Sequence, residues 1–179
     1  MFKGRKIIAL CLTRLSNDET TAKVAELNKA LVAKDYRLFV YNACTDFYHN
    51  NRFENAEKKV YSLIDYNIVD AVVIFSEAFK DTSIVDELRM DAEAHNVPVF
   101  ILGNRSEKCT SFIFDYEAGF EQAVRHIIEY HGITDTAMIA GFKGEEHSEQ
   151  RIAVYKKVLA ENGLPFNDNM LSYGDYWSD

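Results

Sequence analysis

Short apolar runs alternate with segments of helical spacing along this chain. The runs are Ile7–Leu12, Leu38–Tyr41, Ala71–Phe75, Val97–Leu102, Phe112–Phe114 and Ala137–Ala140. Most are continuously apolar, as strands covered on both faces should be. Between them, Val24, Leu27 and Leu31 recur at helical intervals. So do Ala56, Val60, Leu63 and Ile64, then Ile84, Val85, Leu88 and Ala92, and then Phe120, Val124, Ile127 and Ile128. A last helix uses Ile152, Tyr155, Val158 and Leu159 and stops near Asn162-Gly163, with Pro165 beyond. The alternation predicts βαβ units, a parallel sheet and helices on both faces.

One join breaks this rhythm. The run at Phe112 follows the one ending at Leu102 too soon for a crossover helix, so it is expected as an edge strand. The chain then passes to a second lobe near Asp115. We therefore expect a Rossmann-like α/β lobe over residues 1–115 and an incomplete second α/β lobe over 116–179. The second lobe holds two clear βα units, too few to cover both faces of a sheet, and the chain reads as truncated.

At 179 residues and 47% hydrophobic, the chain has enough apolar material for a substantial core. A net charge of -8 disfavours broad electrostatic binding to nucleic acid or anionic membrane. The opening residues do not make a signal peptide, since Thr13-Arg14 interrupts the apolar run. No apolar run nears the roughly 20 residues of a membrane span. Three cysteines without CxxC spacing fit a reducing cytoplasm, with Cys11 and Cys109 read as packed thiols rather than nucleophiles. The five histidines are dispersed, so no metal site is expected. No GxGxxG follows the first strand, Gly141-Phe142-Lys143-Gly144 is too short for a phosphate loop, and no cofactor is expected.

Candidate chemistry lies in the loops expected at the carboxyl ends of the strands, where open α/β sheets bind ligands. These loops begin at Thr13-Arg14, Asn42-Ala43, Ser76-Glu77 and Asn104-Arg105, and at Gly141-Phe142 in the second lobe. Their donors, acceptors and few charges suit hydroxyls or a carboxylate. Arg151 is the sharpest single residue. With Ser148 as the expected helix cap it sits in the first turn, either gripping a ligand or paired at the surface with Glu146 or Glu149. Asp115 reads as a helix cap before a ligand contact. Phe47, Tyr48 and Phe53 lie in a long loop and read first as local packing.

The chain resembles the effector domain of LacI/GalR-type regulators, of the periplasmic-binding-protein-like type. The resemblance rests on Ile7–Leu12, Asn96-Val97-Pro98-Val99, Asp115-Tyr116-Glu117-Ala118-Gly119, His131-Gly132-Ile133 and Ile139-Ala140-Gly141. Arg151 to Tyr155, Leu159 through Pro165, and Gly174-Asp175-Tyr176-Trp177 complete it. It implies two lobes around a cleft that closes on a sugar or other polar metabolite, with Arg151 hydrogen-bonding the ligand and Tyr176 and Trp177 as an aromatic wall. Two departures stand out. Gly103 occupies a position where many relatives carry a ligand-binding aspartate, and no helix-turn-helix precedes the first strand.

A narrower resemblance is to sensor domains placed before GGDEF diguanylate cyclases, through Phe39-Val40-Tyr41-Asn42, Val60–Tyr66 and Ser172–Asp179. The expected function is thus ligand sensing in a bacterial signalling protein with a cyclase output. The alternatives are the ligand-binding domain of a LacI-type transcription regulator, or a Rossmann-like enzyme. The residues themselves show no catalytic constellation. The expected ligand contacts are Thr13, Arg14, Ser76, Glu77, Asn104, Arg105, Arg151, Tyr176 and Trp177. The expected partners are a small polar ligand and a second copy of the chain, with no nucleic acid or membrane contact by these residues and a cytoplasmic location.

Overall fold

The computed structural model describes residues 4–47 and 51–174, apart from the Glu146 side chain. The chain divides into two compact units, Met1–Ile113 and Phe114–Asp179.

The first unit is a five-stranded parallel sheet in the order β2-β1-β3-β4-β5. Its strands are β1 (Ile7–Thr13), β2 (Arg37–Ala43), β3 (Ala71–Phe75), β4 (Val99–Leu102) and β5 (Thr110–Phe112). The edge strand β5 stops at Phe112, so the expected Ile113 and Phe114 lie beyond it and are exposed. Every residue of β1 is buried. Its side chains alternate between faces, as the pleat requires. Ile7, Ala9 and Cys11 pack with Tyr61, Ile64, Ile84 and Leu88. Leu10 and Leu12 face Val24 and Leu27 of α1 (Asp18–Val32). Helices on opposite faces follow from the strand order. The chain moves one way from β1 to β2 and then back past β1 to β3, and right-handed crossovers put those two connections on opposite sides.

Two expected helices differ in detail. The segment expected as one helix from Ala56 to Ile64 is a short helix α2 (Arg52–Glu57) followed by a tighter turn, Lys58–Leu63. With three residues per turn, positions i and i+3 share a face. Tyr61 and Ile64 are therefore buried while Leu63 is 71% exposed. In α3 (Thr82–Ala94), Ser83 and Asp86 are the expected N-terminal cap; both are helical residues, and Asp81 caps instead, its side chain accepting from the Ser83 amide.

The second unit holds α4 (Tyr116–Arg125), a π-helical turn (His126–Tyr130), β6 (Met138–Ala140), α5 (Glu146–Glu161) and β7 (Leu171–Tyr173). Strands β6 and β7 form a parallel pair. Asp115 caps α4 by accepting from the Ala118 amide at 2.9 Å. Val124, Ile128, Val154, Tyr155, Val158 and Leu159 form the unit's core. Arg125 ties the two helices together, bonding Glu121 and Glu129 on its own helical segment and Glu161 on α5. His126 is exposed, where a packed or half-exposed place among its apolar neighbours is the sequence expectation.

Candidate functional site

The reversal of direction between β1 and β3 marks the ligand-binding edge of an open α/β sheet. The residues there are held by one another. Buried Thr13 ends β1, and its hydroxyl reaches Asp46 Oδ1 at 2.8 Å and the Ala78 carbonyl at 3.2 Å. Arg14 adopts φ 50° and sets its Nε 3.1 Å from the other oxygen of Asp46. Asn42 turns its side-chain oxygen to the Leu15 amide at 2.8 Å, fixing the loop that leads to α1.

Across the switch point, β3 runs into a single tight turn, Ser76–Ala78. Ser76 is 1% exposed. Its hydroxyl donates to the Leu102 carbonyl at 3.2 Å and accepts from the Asn104 amide at 2.8 Å, stitching the end of β3 to the loop after β4. The β3–β4 register pairs Phe75 with Leu102, so the residues that follow come side by side.

Glu77 and Gly103 meet at that point. Gly103 has φ +117°, and a Cβ placed on it would lie 2.3 Å from Glu77 Cγ and 2.9 Å from Cδ. The positive φ disfavours any side chain at 103, and the Glu77 side chain fills the space one would need, so a glycine stands there. Glu77 Oε1 is buried and accepts no hydrogen bond from the described residues. Asn104 is half-buried and anchored through its amide, while Arg105 is exposed.

The structure therefore gathers Thr13, Arg14, Ser76, Glu77, Asn104 and Arg105 at one edge of the first unit. Sequence reasoning missed Asp46, the residue that joins Thr13 to Arg14. Its signal was only its place in the loop after β2. Phe47 is buried at φ 62° and stacks on Phe79 at 6.1 Å between ring centroids. Phe53 lies 80% exposed on α2, and Tyr48 falls outside the described residues.

In the second unit, Glu145 occupies the cap position of α5 and makes no capping side-chain bond. Ser148 is a helical residue, 1% exposed, and not the expected cap; Arg151 accordingly sits in the second turn. Ser148 shares a face with Ile152, Tyr155 and Leu159, all buried, which is why the helix starts earlier. Half-buried Arg151 has no ion pair among the described residues, and Glu149 Oε1 instead accepts from the Gly144 amide at 2.8 Å. Ser148 Oγ and His147 Nε2 are buried and have no hydrogen-bond partner among the described residues. Tyr176 and Trp177 lie outside the described residues.

Two recesses lie away from these polar clusters. One of about 240 Å³ runs between Lys58–Ser62 and α3. The other, about 380 Å³, is an apolar groove of the second unit between Phe120, Ile127 and Ile139. Neither offers the convergent polar groups of the strand ends. Among the described residues, no group of three His, Cys, Asp or Glu side chains is placed to hold a metal ion.

Comparison with known proteins adds the following. No family model matches the chain. Over 125 residues it is 26% identical to the HTH-type transcriptional regulator AscG of Escherichia coli K12, covering 69% of this chain and 35% of that protein. Over 174 residues it is 22% identical to the probable HTH-type transcriptional repressor ExuR of Bacillus subtilis 168, covering 94% and 47%. The chain thus spans less than half the length of these curated relatives. Among solved structures, a complex of the transcriptional regulator CelR with cellobiose superposes with TM-score 0.70 at 20% identity, covering 96% of this chain and 52% of that one. The fold is that of LacI-type effector domains. These relatives are transcription regulators, and they favour that context over the cyclase-linked one expected from the sequence.

Proposed function

We propose that this chain is the effector-sensing part of a LacI-type transcription regulator and that it takes a sugar-like ligand. The observation that carries the reading is the polar assembly at the β1/β3 switch point, where part-buried hydrogen bonds position Thr13, Ser76 and the Asn104 backbone and the Glu77 side chain lies over Gly103. Similarity to AscG and ExuR, and to a regulator solved with cellobiose, supports a regulator and a carbohydrate-like ligand. Arg14, Arg105 and Arg151 are the proposed cationic contacts, and Tyr176 with Trp177 the proposed aromatic ones. A homodimer and a cytoplasmic location belong to the same proposal. The described helices include none long and apolar enough to cross a membrane.

The test is a panel of mono- and disaccharides screened by thermal shift and ligand-detected NMR. Arg151→Ala should remove ligand-induced stabilisation while leaving the ligand-free melting temperature nearly unchanged. A charged hydrogen bond to a desolvated ligand contributes roughly 1.5–3 kcal/mol, about one to two decades in affinity. Equal stabilisation of wild type and variant removes Arg151 from the site.

A further inference from the structure

We infer that Glu77 sets the ligand class of the strand-end site: it accepts hydrogen bonds from the hydroxyl or protonated amine groups of a ligand and turns away anionic sugars. This rests on the sensing role proposed above and adds a chemical selection to it.

The backbone on either side of Glu77 is pinned. Ser76 is tied to Leu102 and Asn104, the Ala78 carbonyl is held by Thr13, and the Phe79 amide closes the turn on the Ser76 carbonyl at 3.0 Å. The side chain is pinned as well, since its Cγ and Cδ lie in the space that the missing Cβ of Gly103 leaves open. Glycine at a positive φ and a carboxylate arm laid over it make one unit, which holds the acid in a single place.

What that unit presents is an acceptor without a donor. An ionised carboxylate offers only acceptor sites, and buried acceptors in folded proteins are met by protein, water or ligand. Glu77 Oε1 is buried and meets no donor among the described residues. The neighbouring acid differs. Both oxygens of Asp46 are engaged, one by the Thr13 hydroxyl and one by Arg14. Asp46 is therefore a structural brace, and Glu77 is the acid left for a ligand. A second carboxylate brought against it meets like-charge repulsion in partly desolvated surroundings, where such repulsion is several times stronger than in water.

The experiment uses the full 179-residue chain, 15N-labelled, and a set of monosaccharides each supplied as neutral, amino and uronic acid forms. Binding is read by saturation-transfer NMR and by the Gly103 amide shift, whose N–H donates to the Phe112 carbonyl. Neutral or amino forms should bind and move the Gly103 resonance, while the uronic forms should not. Preference for the neutral or the amino form then tells whether hydroxyl or ammonium donors meet Glu77. Glu77→Gln keeps the shape and removes the charge, and should weaken the binder about ten- to hundredfold and relieve the exclusion of uronic forms. Glu77→Asp, which keeps the charge but withdraws it, should weaken binding and preserve the exclusion. Binding of a uronic form to wild type as tight as its neutral form overturns the inference and leaves the sensing role standing. Unchanged affinity in Glu77→Gln does the same. Silence from every sugar in the set overturns both.

Discussion

Gly103→Ala offers the most direct check on the geometry at the end of β4. Two separate costs arise. A Cβ residue held at φ +117° carries strain of about 1–3 kcal/mol. Independently, the new methyl would stand 2.3 Å from Glu77 Cγ, and forcing an extra carbon into packed space costs about another 1–3 kcal/mol. Together these predict a loss of about 2–6 kcal/mol, a large part of the roughly 5–15 kcal/mol that stabilises an ordinary domain. Glu77→Ala removes the clash but not the strain. In that background Gly103→Ala should cost only the strain part, so a double-mutant cycle should show coupling of about 1–3 kcal/mol. Urea unfolding of the four proteins, followed by a probe in the first unit, supplies the numbers. Zero coupling would mean that Glu77 does not lie over Gly103, and the account of why residue 103 is glycine would fail.

Other outcomes follow from separate contacts. Tyr61→Phe removes the buried hydrogen bond from its hydroxyl to the Leu12 carbonyl at 2.8 Å and should lower stability by about 1 kcal/mol, read as a lower urea midpoint with an unchanged slope. Hydrogen bonds from Arg125 and then Lys157 hold the Glu121 carboxyl below its ordinary value, so the folded state resists protonation and Glu121 stabilises the second unit above the unfolded glutamate pKa of about 4.3. That contribution should disappear as pH falls through this value and then through the lower folded one, so the melting gap between wild type and Glu121→Gln at pH 6 should close by pH 3; a constant gap contradicts it. Burial pushes the Cys11 thiol far above its usual range, whereas Cys44 is exposed. Alkylation followed by mass spectrometry should label Cys44 in the native state and Cys11 only after unfolding, and equal rates would refute the buried placement.

Much of the first unit was legible because β1 and β3 are apolar without interruption, which only strands covered on both faces need to be. The regular stripe from Ala56 to Ile64 misled because helical and three-per-turn spacings both bring every third or fourth residue round. What decided between them was tertiary, namely Tyr61 reaching Leu12. Ser148 misled for a related reason, since a serine near a helix start reads as a cap until Ile152 and Tyr155 claim its face for the core. The strand-end loops were predictable as places. Their internal partnerships were not, because Thr13 with Asp46 and Glu77 with Gly103 are separated by 33 and 26 residues and meet only through strand register. Asp46 had nothing local to distinguish it from other acids of this chain.

The placement of β1 in the sheet also has a bearing on synthesis. Of the strands in this sheet it is made first, and it lies between the next two, β2 and β3, which pair with its two edges. β4 and β5 then add outward on one side only, in the order in which they are made. Among the described residues, all five strands of this sheet have been made by Phe112. At translation rates of roughly 5–20 residues per second, the remaining residues take several seconds more to emerge. The sheet and its switch-point loops can therefore assemble by accretion on the nascent chain, with Glu77 settled over Gly103 before Arg151 has been added.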